Sequence, residues 1–298
     1  MKKISYLILL ALLLSLFSGC SQEKQEAQVA ATTLPVYEFT SRLCEGTGIS
    51  VTRLVTESVS CLHDYTLQVA QMRAISAAEV AVISGAGLEV FLEDALDSAD
   101  TLIDASQGID LLCPEEEGGH SHEEHEDHDG HHHEYDPHIW LSPACAKVMA
   151  QNICTGLSRQ FPESSDNFET NLTALLTELD ALQAYGEEQL SSLSCRELIT
   201  FHDGFSYMAD AFGLTILEAV EEESGSEAAA SELIELIEMV EHHNLPAIFT
   251  ETNGSTAAAG IIAAETGAAI YSLDMAMAGD SYFDAMYHNI DTLKEALQ

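Results

Sequence analysis

Residues 162–193 hold apolar side chains at intervals of three and four: Phe168, Leu172, Leu175, Leu176, Leu179, Leu182, Tyr185 and Leu190. After Pro162 no proline interrupts the run, and Gly186 is its one glycine. This spacing lays one apolar stripe along an α-helix. It predicts a single amphipathic helix of roughly 30 residues, about 45 Å long at 1.5 Å per residue. On either side, short β-rich runs alternate with helical patterns. Strands are expected at 29–33, 50–55, 80–84, 197–201, 214–220, 247–250 and 269–273. Helices are expected at 36–44, 67–75, 88–96, 205–212, 227–242, 255–265 and 282–297. Strand alternating with helix implies parallel sheets covered on both faces. The strands are short and few in each half, so two small α/β lobes fit better than one large sheet. The long helix is then a stiff connector between lobes or an ordinary long helix of one of them; periodicity alone leaves both open.

The N-terminus begins Met1-Lys2-Lys3, continues with a largely apolar run over 4–17 and closes on Ser18-Gly19-Cys20. A basic start, a short apolar segment and small residues before a cysteine read as a secretory signal, too short to span a membrane comfortably. The cysteine suggests a lipoprotein leader over 1–20, with Cys20 lipidated and residues 21–28 as a polar tether. Phe17 stands where such leaders usually carry Leu, and an ordinary signal peptide with an incidental cysteine is the alternative. No later segment is apolar for 18 residues, so the remainder is expected to be soluble apart from its anchor.

Removing residues 1–19 removes two lysines and no acids, leaving 8 basic against 50 acidic residues. A surface so acidic repels nucleic acid and anionic lipid. It attracts cations weakly everywhere without creating a site, and solubility accounts for most of it. Besides Cys20 there are Cys44, Cys61, Cys113, Cys145, Cys154 and Cys195. An exported chain permits disulfides, and six cysteines allow 15 pairings. Cys145 and Cys154 are expected on opposite faces of one helix, so they should not pair with each other.

Between Gly119 and Trp140, seven histidines (His120, His122, His125, His128, His131, His132 and His133) sit among carboxylates, and His138 follows within Asp-Pro-His-Ile-Trp-Leu-Ser-Pro. Neutral imidazole is the commonest protein ligand for zinc and similar ions, so metal handling is the leading idea. Residues 115–134 have no composition for a core. Their task is either a weak auxiliary metal antenna or none beyond solvation.

Ligand groups in open α/β sheets lie beyond the carboxyl ends of the strands. Four metal-competent residues fall there. His63 follows the strand at 50–55 through a loop. His138 closes the first half, before a helix capped by Ser142 with Pro143 at its first position. His202 follows 197–201 directly and Asp274 follows 269–273 directly. Three imidazoles and one carboxylate match a four-coordinate zinc site with bonds near 2.0–2.2 Å. A filled tetrahedron leaves no water to activate, which favours capture over catalysis. Capture is expected to weaken as pH falls through roughly 6.5, where ordinary imidazoles protonate.

At these residues the chain resembles the metal-specific solute-binding proteins of bacterial ABC transporters, in particular the zinc-uptake, ZnuA-like group of the zinc/manganese cluster A-I family. The marks are Leu62-His63-Asp64-Tyr65, Tyr135-Asp136-Pro137-His138-Ile139-Trp140-Leu141-Ser142-Pro143, and Phe201-His202-Asp203-Gly204-Phe205-Ser206-Tyr207. Ile248-Phe249-Thr250-Glu251 and Asn289-Ile290-Asp291-Thr292-Leu293 add to them. The resemblance implies two Rossmann-like α/β lobes, 29–161 and 194–298, joined by one linking helix over 162–193, with the metal in the cleft. It assigns ligation to His63, His138 and His202, with Asp274 at the fourth position. With the leader read above, it implies a lipid-anchored extracytoplasmic receptor that delivers Zn²⁺ to an ABC permease and its ATPase, and the receptor is expected to be a monomer. Manganese relatives carry Glu where His202 stands, and an imidazole there favours zinc over Mn²⁺. The loop 57–62 lacks the family's usual Pro and Gly, and residues 275–279 depart from its usual turn after Asp274. Cys61 is a further, weaker ligand candidate. Asp64, Asp136, Asp203 and Glu251 are candidates to support the metal-bound rings. The competing expectations are a manganese or mixed-metal receptor, a zinc-binding adhesin or buffer without a permease, and a zinc hydrolase, for which no His-Glu-x-x-His motif is present.

Overall fold

The computed structural model describes residues 27–57, 62, 65–96, 99–113, 135–220 and 229–298. His63, Asp64, Cys61, Cys20 and the seven histidines from His120 to His133 lie outside the described residues.

The first sheet is formed by β1 (Val29–Ala31), β2 (Val51–Arg53), β3 (Val80–Ile83) and β4 (Leu102–Asp104), the second by β5 (Glu197–Thr200), β6 (Thr215–Ala219), β7 (Ala247–Glu251) and β8 (Ala269–Leu273). All pairings are parallel, and the spatial orders are β2-β1-β3-β4 and β6-β5-β7-β8. The two lobes therefore repeat one topology. In each, strand order reverses beside the first strand, and the crevice at its carboxyl end is where ligands of open α/β sheets sit.

The helices are α1 (Leu34–Leu43), α2 (Val69–Ala77), α3 (Glu93–Leu96), α4 (Pro143–Gln160), α5 (Ser165–Gln189), α6 (Ser206–Phe212), α7 (Ala230–His243), α8 (Ala257–Thr266) and α9 (Tyr282–Leu297). The linking helix is α5. Its entry tightens into a 3₁₀ turn at Pro162–Ser164 and it ends at Gln189, so the regular helix is shorter at both ends than the apolar spacing suggested. It buries Phe168, Leu175, Leu179 and Leu182 along one stripe. At Gly186 a Cβ would stand 2.2 Å from the Phe212 ring; the missing side chain lets the end of α6 press on the linker.

One apolar cluster runs through both halves, from Val29 and Phe39 through Trp140, Phe168 and Leu182 to Phe212, Phe249 and Tyr282. The lobes are also tied by the segment between β8 and α9. The Trp140 indole N–H donates to the Met275 carbonyl (2.7 Å), the Leu34 N–H to Met277 (3.1 Å) and Arg53 Nη1 to Gly279 (2.7 Å). The Tyr282 N–H reaches Glu38 Oε2 (2.6 Å), and its hydroxyl donates to the Trp140 carbonyl (2.8 Å).

Two local readings differ from the sequence expectation. The strand β4 was not anticipated: it is three residues long with Leu102 half exposed, too short to display an alternation. The expected helix over 88–96 is a 3₁₀ turn at Val90–Leu92 followed by the four-residue α3. Gly85, Ala86 and Gly87 precede it with φ of 83°, 55° and 85°, a left-handed run that cannot lead straight into a regular helix. Cys44, Cys113, Cys145, Cys154 and Cys195 are free thiols among the described residues, and Cys145 and Cys154 do share α4. Among the described residues no helix is long and apolar enough to cross a membrane.

Glu89 is buried at the carboxyl ends of β1 and β3. Its carboxyl accepts from Thr32 Oγ1 (2.7 Å), Ser84 N–H (2.7 Å) and Gly85 N–H (3.0 Å), linking the ends of β1 and β3. Burial, opposed by those three donors, pushes its pKa up to about 7 from 4.5. Between these values the native chain keeps a proton that the unfolded chain has released, so this group's contribution to stability falls as pH rises through the window. Urea midpoints of the wild type and of Glu89→Gln, taken at pH 4.5, 6 and 7.5, should show the wild type losing ground to the variant with rising pH. Parallel profiles would place the pH dependence elsewhere.

Candidate metal centre

The segment Asp136-Pro137-His138 positions the first imidazole. Asp136 Oδ1 accepts both the His138 backbone N–H (2.9 Å) and contacts His138 Nδ1 (2.8 Å). This Asx-type turn is followed by the 3₁₀ turn Ile139–Leu141 and by α4, whose first turn is capped by the Ser142 hydroxyl accepting from the Cys145 N–H at 3.4 Å. A carboxylate on Nδ1 selects the tautomer with its proton there and leaves Nε2 as the lone-pair donor. Both His138 and Asp136 are buried.

The second imidazole, His202, follows β5 and is 2% exposed. Its Nδ1 lies 3.9 Å from Glu251 Oε2, at the end of the neighbouring strand β7. The two rings, one from each lobe, meet edge to face with centroids 5.3 Å apart. Gly204 makes room for them. A Cβ there would stand 2.7 Å from His202 Cδ2, 2.7 Å from Met275 Cε and 3.0 Å from His138 Cε1. The indole of Trp140, fully buried, packs edge-on to His138 at 5.4 Å.

Asp274 sits at the end of β8, as expected from the sequence. It lines a hollow with Glu251, Thr252, Asn253, Met275 and Gly279. Its Oδ1 accepts the Ala276 N–H (2.7 Å). Its peptide is gripped by Asn289, whose Oδ1 accepts the Asp274 N–H (2.7 Å) and whose Nδ2 donates to the Asp274 carbonyl (2.6 Å). Among the described residues no three His, Cys, Asp or Glu side chains come close enough together to hold a metal ion. The structure thus brings His138 and His202 together, places Asp274 beside Glu251, and leaves His63 outside the described residues. Of the four carboxylates named as supports, Asp136 lies on an imidazole and Glu251 is close to one, whereas Asp203 is exposed. His243 pairs with Glu197 at 2.9 Å at the far end of α7, and His288 is exposed on α9. The roles of Gly204 and Asn289 were not read from the sequence, although both lie in stretches quoted above; a glycine two residues after His202 was the available signal.

A family model described as "Zinc-uptake complex component A periplasmic" (ZnuA) matches residues 29–296. The chain belongs to the ZnuA family. Among curated relatives of this ZnuA-family chain is the zinc-binding lipoprotein AdcA of Streptococcus pneumoniae, 33% identical over 99% of the chain and 61% of the relative. The chain thus spans about three fifths of that relative's length. A crystal structure of ZnuA aligns with a TM-score of 0.76 at 30% identity, covering 91% of this chain and 99% of that one. The Zn(II)-bound ZnuA-like domain of S. pneumoniae AdcA aligns with a TM-score of 0.74 at 27% identity, covering 91% and 99%. The two parallel-sheet lobes and the linking helix are the architecture of these neighbours.

Proposed function

We propose that this ZnuA-family chain captures Zn²⁺ outside the cytoplasmic membrane and hands it to the permease and ATPase of an ABC importer. The observation that carries the reading is the meeting of His138 and His202: two buried imidazoles from opposite lobes, 5.3 Å apart, with Asp136 on one and Glu251 close to the other. Imidazole nitrogen suits zinc better than manganese, and carboxylates behind the rings raise their basicity. In this reading His63 supplies the third imidazole and Asp274 the fourth position, between lobes of residues 29–161 and 194–298. The zinc is cargo. A full tetrahedron of protein ligands leaves no position for an activated water, so the chain is a receptor and not an enzyme. Cys20 carries the lipid anchor, and the receptor acts as a monomer. The Zn(II)-bound neighbour and the zinc-binding relative support the choice of metal. Crystals soaked in zinc, with anomalous scattering at the zinc edge, test the ligand set. Density bonded to His138 and His202 is expected, and zinc bound elsewhere with neither ring would sink the reading.

The histidine tract is proposed as an auxiliary, weaker binder. Deleting residues 118–133 should leave one tight zinc per chain in isothermal titration and remove the weaker events. Loss of the tight event would assign it to the tract instead.

A further inference from the structure

Tyr207 reaches across the lobes from α6. Its hydroxyl accepts the Leu112 N–H (2.9 Å) and donates to the Asp136 carbonyl (3.1 Å), while the Asp136 N–H donates back to the Leu112 carbonyl (2.9 Å). Three groups thus close a ring of hydrogen bonds around one phenol that is 3% exposed. Asp136 is the residue whose carboxylate fixes His138. Among the described residues its other oxygen, Oδ2, is buried and meets no donor. The carboxylate is thus held through Oδ1 alone, by the His138 N–H and ring, and where it stands is set by the backbone that carries it, which Tyr207 grips at the Asp136 carbonyl. Burial pushes the phenol up to about 12, so it remains a proton donor at neutral pH.

We propose that Tyr207 is a positioning residue for metal capture: through the Asp136 peptide it fixes the carboxylate that orients His138, so that the second lobe helps to aim a ligand belonging to the first. The proposal rests on the zinc-receptor reading above. It makes His202 and Tyr207, five residues apart, parts of one device that presents its own imidazole and steadies the opposing one. The distances that matter are set at the lobe interface, which ties ligand orientation to how the lobes are seated.

The test is zinc titration of the full chain against a competing chelator, for the wild type, Tyr207→Phe, Asp136→Asn and the double variant. Tyr207→Phe keeps the ring and removes the hydroxyl. Loss of an outer partner of a metal ligand weakens binding about 10–100-fold, and tenfold weaker tight binding is expected here. Because the effect runs through Asp136, adding Tyr207→Phe to Asp136→Asn should cost nothing further. Wild-type affinity in Tyr207→Phe, or losses that multiply in the double variant, would overturn the proposal. A merely structural tyrosine would lower the melting point of the metal-free chain and leave the affinity alone, which also overturns it. Amide exchange at Leu112 in the wild type gives a reading independent of any variant. Coupling is reciprocal, so zinc should slow that exchange, and no change overturns the proposal. His138→Ala serves as the control. If the wild type has no tight event, or His138→Ala retains it, the receptor reading has failed and the proposal falls with it. If only the Tyr207 variants behave as wild type, the proposal alone has failed.

Discussion

His202→Ala should abolish the tight zinc event of the full chain. The ring is buried, comes from the second lobe and stands against His138 at 5.3 Å. Alanine removes a nitrogen donor outright, whereas the carboxylate near its other side influences only the ring's orientation and basicity. Glu251→Gln should therefore weaken zinc by about 10–100-fold, and His202→Ala by clearly more. His288→Ala removes an exposed imidazole on α9 and should change nothing. Titration against a chelator, with the melting point of the metal-free chain measured alongside, separates lost ligation from lost folding. If His202→Ala still takes up one zinc with wild-type affinity, capture does not occur between the lobes. The same variant series titrated with Mn²⁺ decides between metals: the imidazole at 202 contributes little to a manganese site, so Mn²⁺ should respond less to its loss.

The strands β1 and β7 were legible because they are buried on both faces. β1, with Val29, Ala30 and Ala31 all at 0% exposure, and β7, buried throughout, read as short apolar runs bounded by polar residues. β4 escaped because it is a short edge strand that buries one side chain well. α5 was legible because its stripe at Phe168, Leu175, Leu179 and Leu182 faces a continuous core. Its first turn was misjudged because Pro162 starts a 3₁₀ turn, which the apolar spacing does not distinguish from α-helix.

The imidazoles at 138 and 202 could be named from sequence because strand ends and helix starts are local properties, and Asp136 stands two residues before the ring it holds. What lay beyond reach was set by the contact between lobes. Gly204 does not have the positive φ that would demand a glycine; it is small because two imidazoles and Met275 close over it. Tyr207 sits in a quoted motif, yet its partners Leu112 and Asp136 are 95 and 71 residues away. No spacing rule connects residues that meet only where the two sheets are packed together.

The second large effect is expected at Trp140. Its ring is fully buried beneath His138, its indole N–H donates to the Met275 carbonyl, and its own carbonyl accepts from Tyr282. Trp140→Ala should destabilise the chain by about 3–5 kcal/mol, the usual result of emptying so large a space. Trp140→Phe keeps much of the packing but leaves the Met275 carbonyl without its donor, an expected cost of about 1–3 kcal/mol. Met275 directly follows Asp274, so the lost bond frees the segment that carries the fourth proposed ligand. Trp140→Phe should accordingly weaken zinc more than its modest effect on urea unfolding suggests. Zinc affinity unchanged in Trp140→Phe, with the stability loss present, would confine the indole bond to folding and remove the Met275 link from the metal centre.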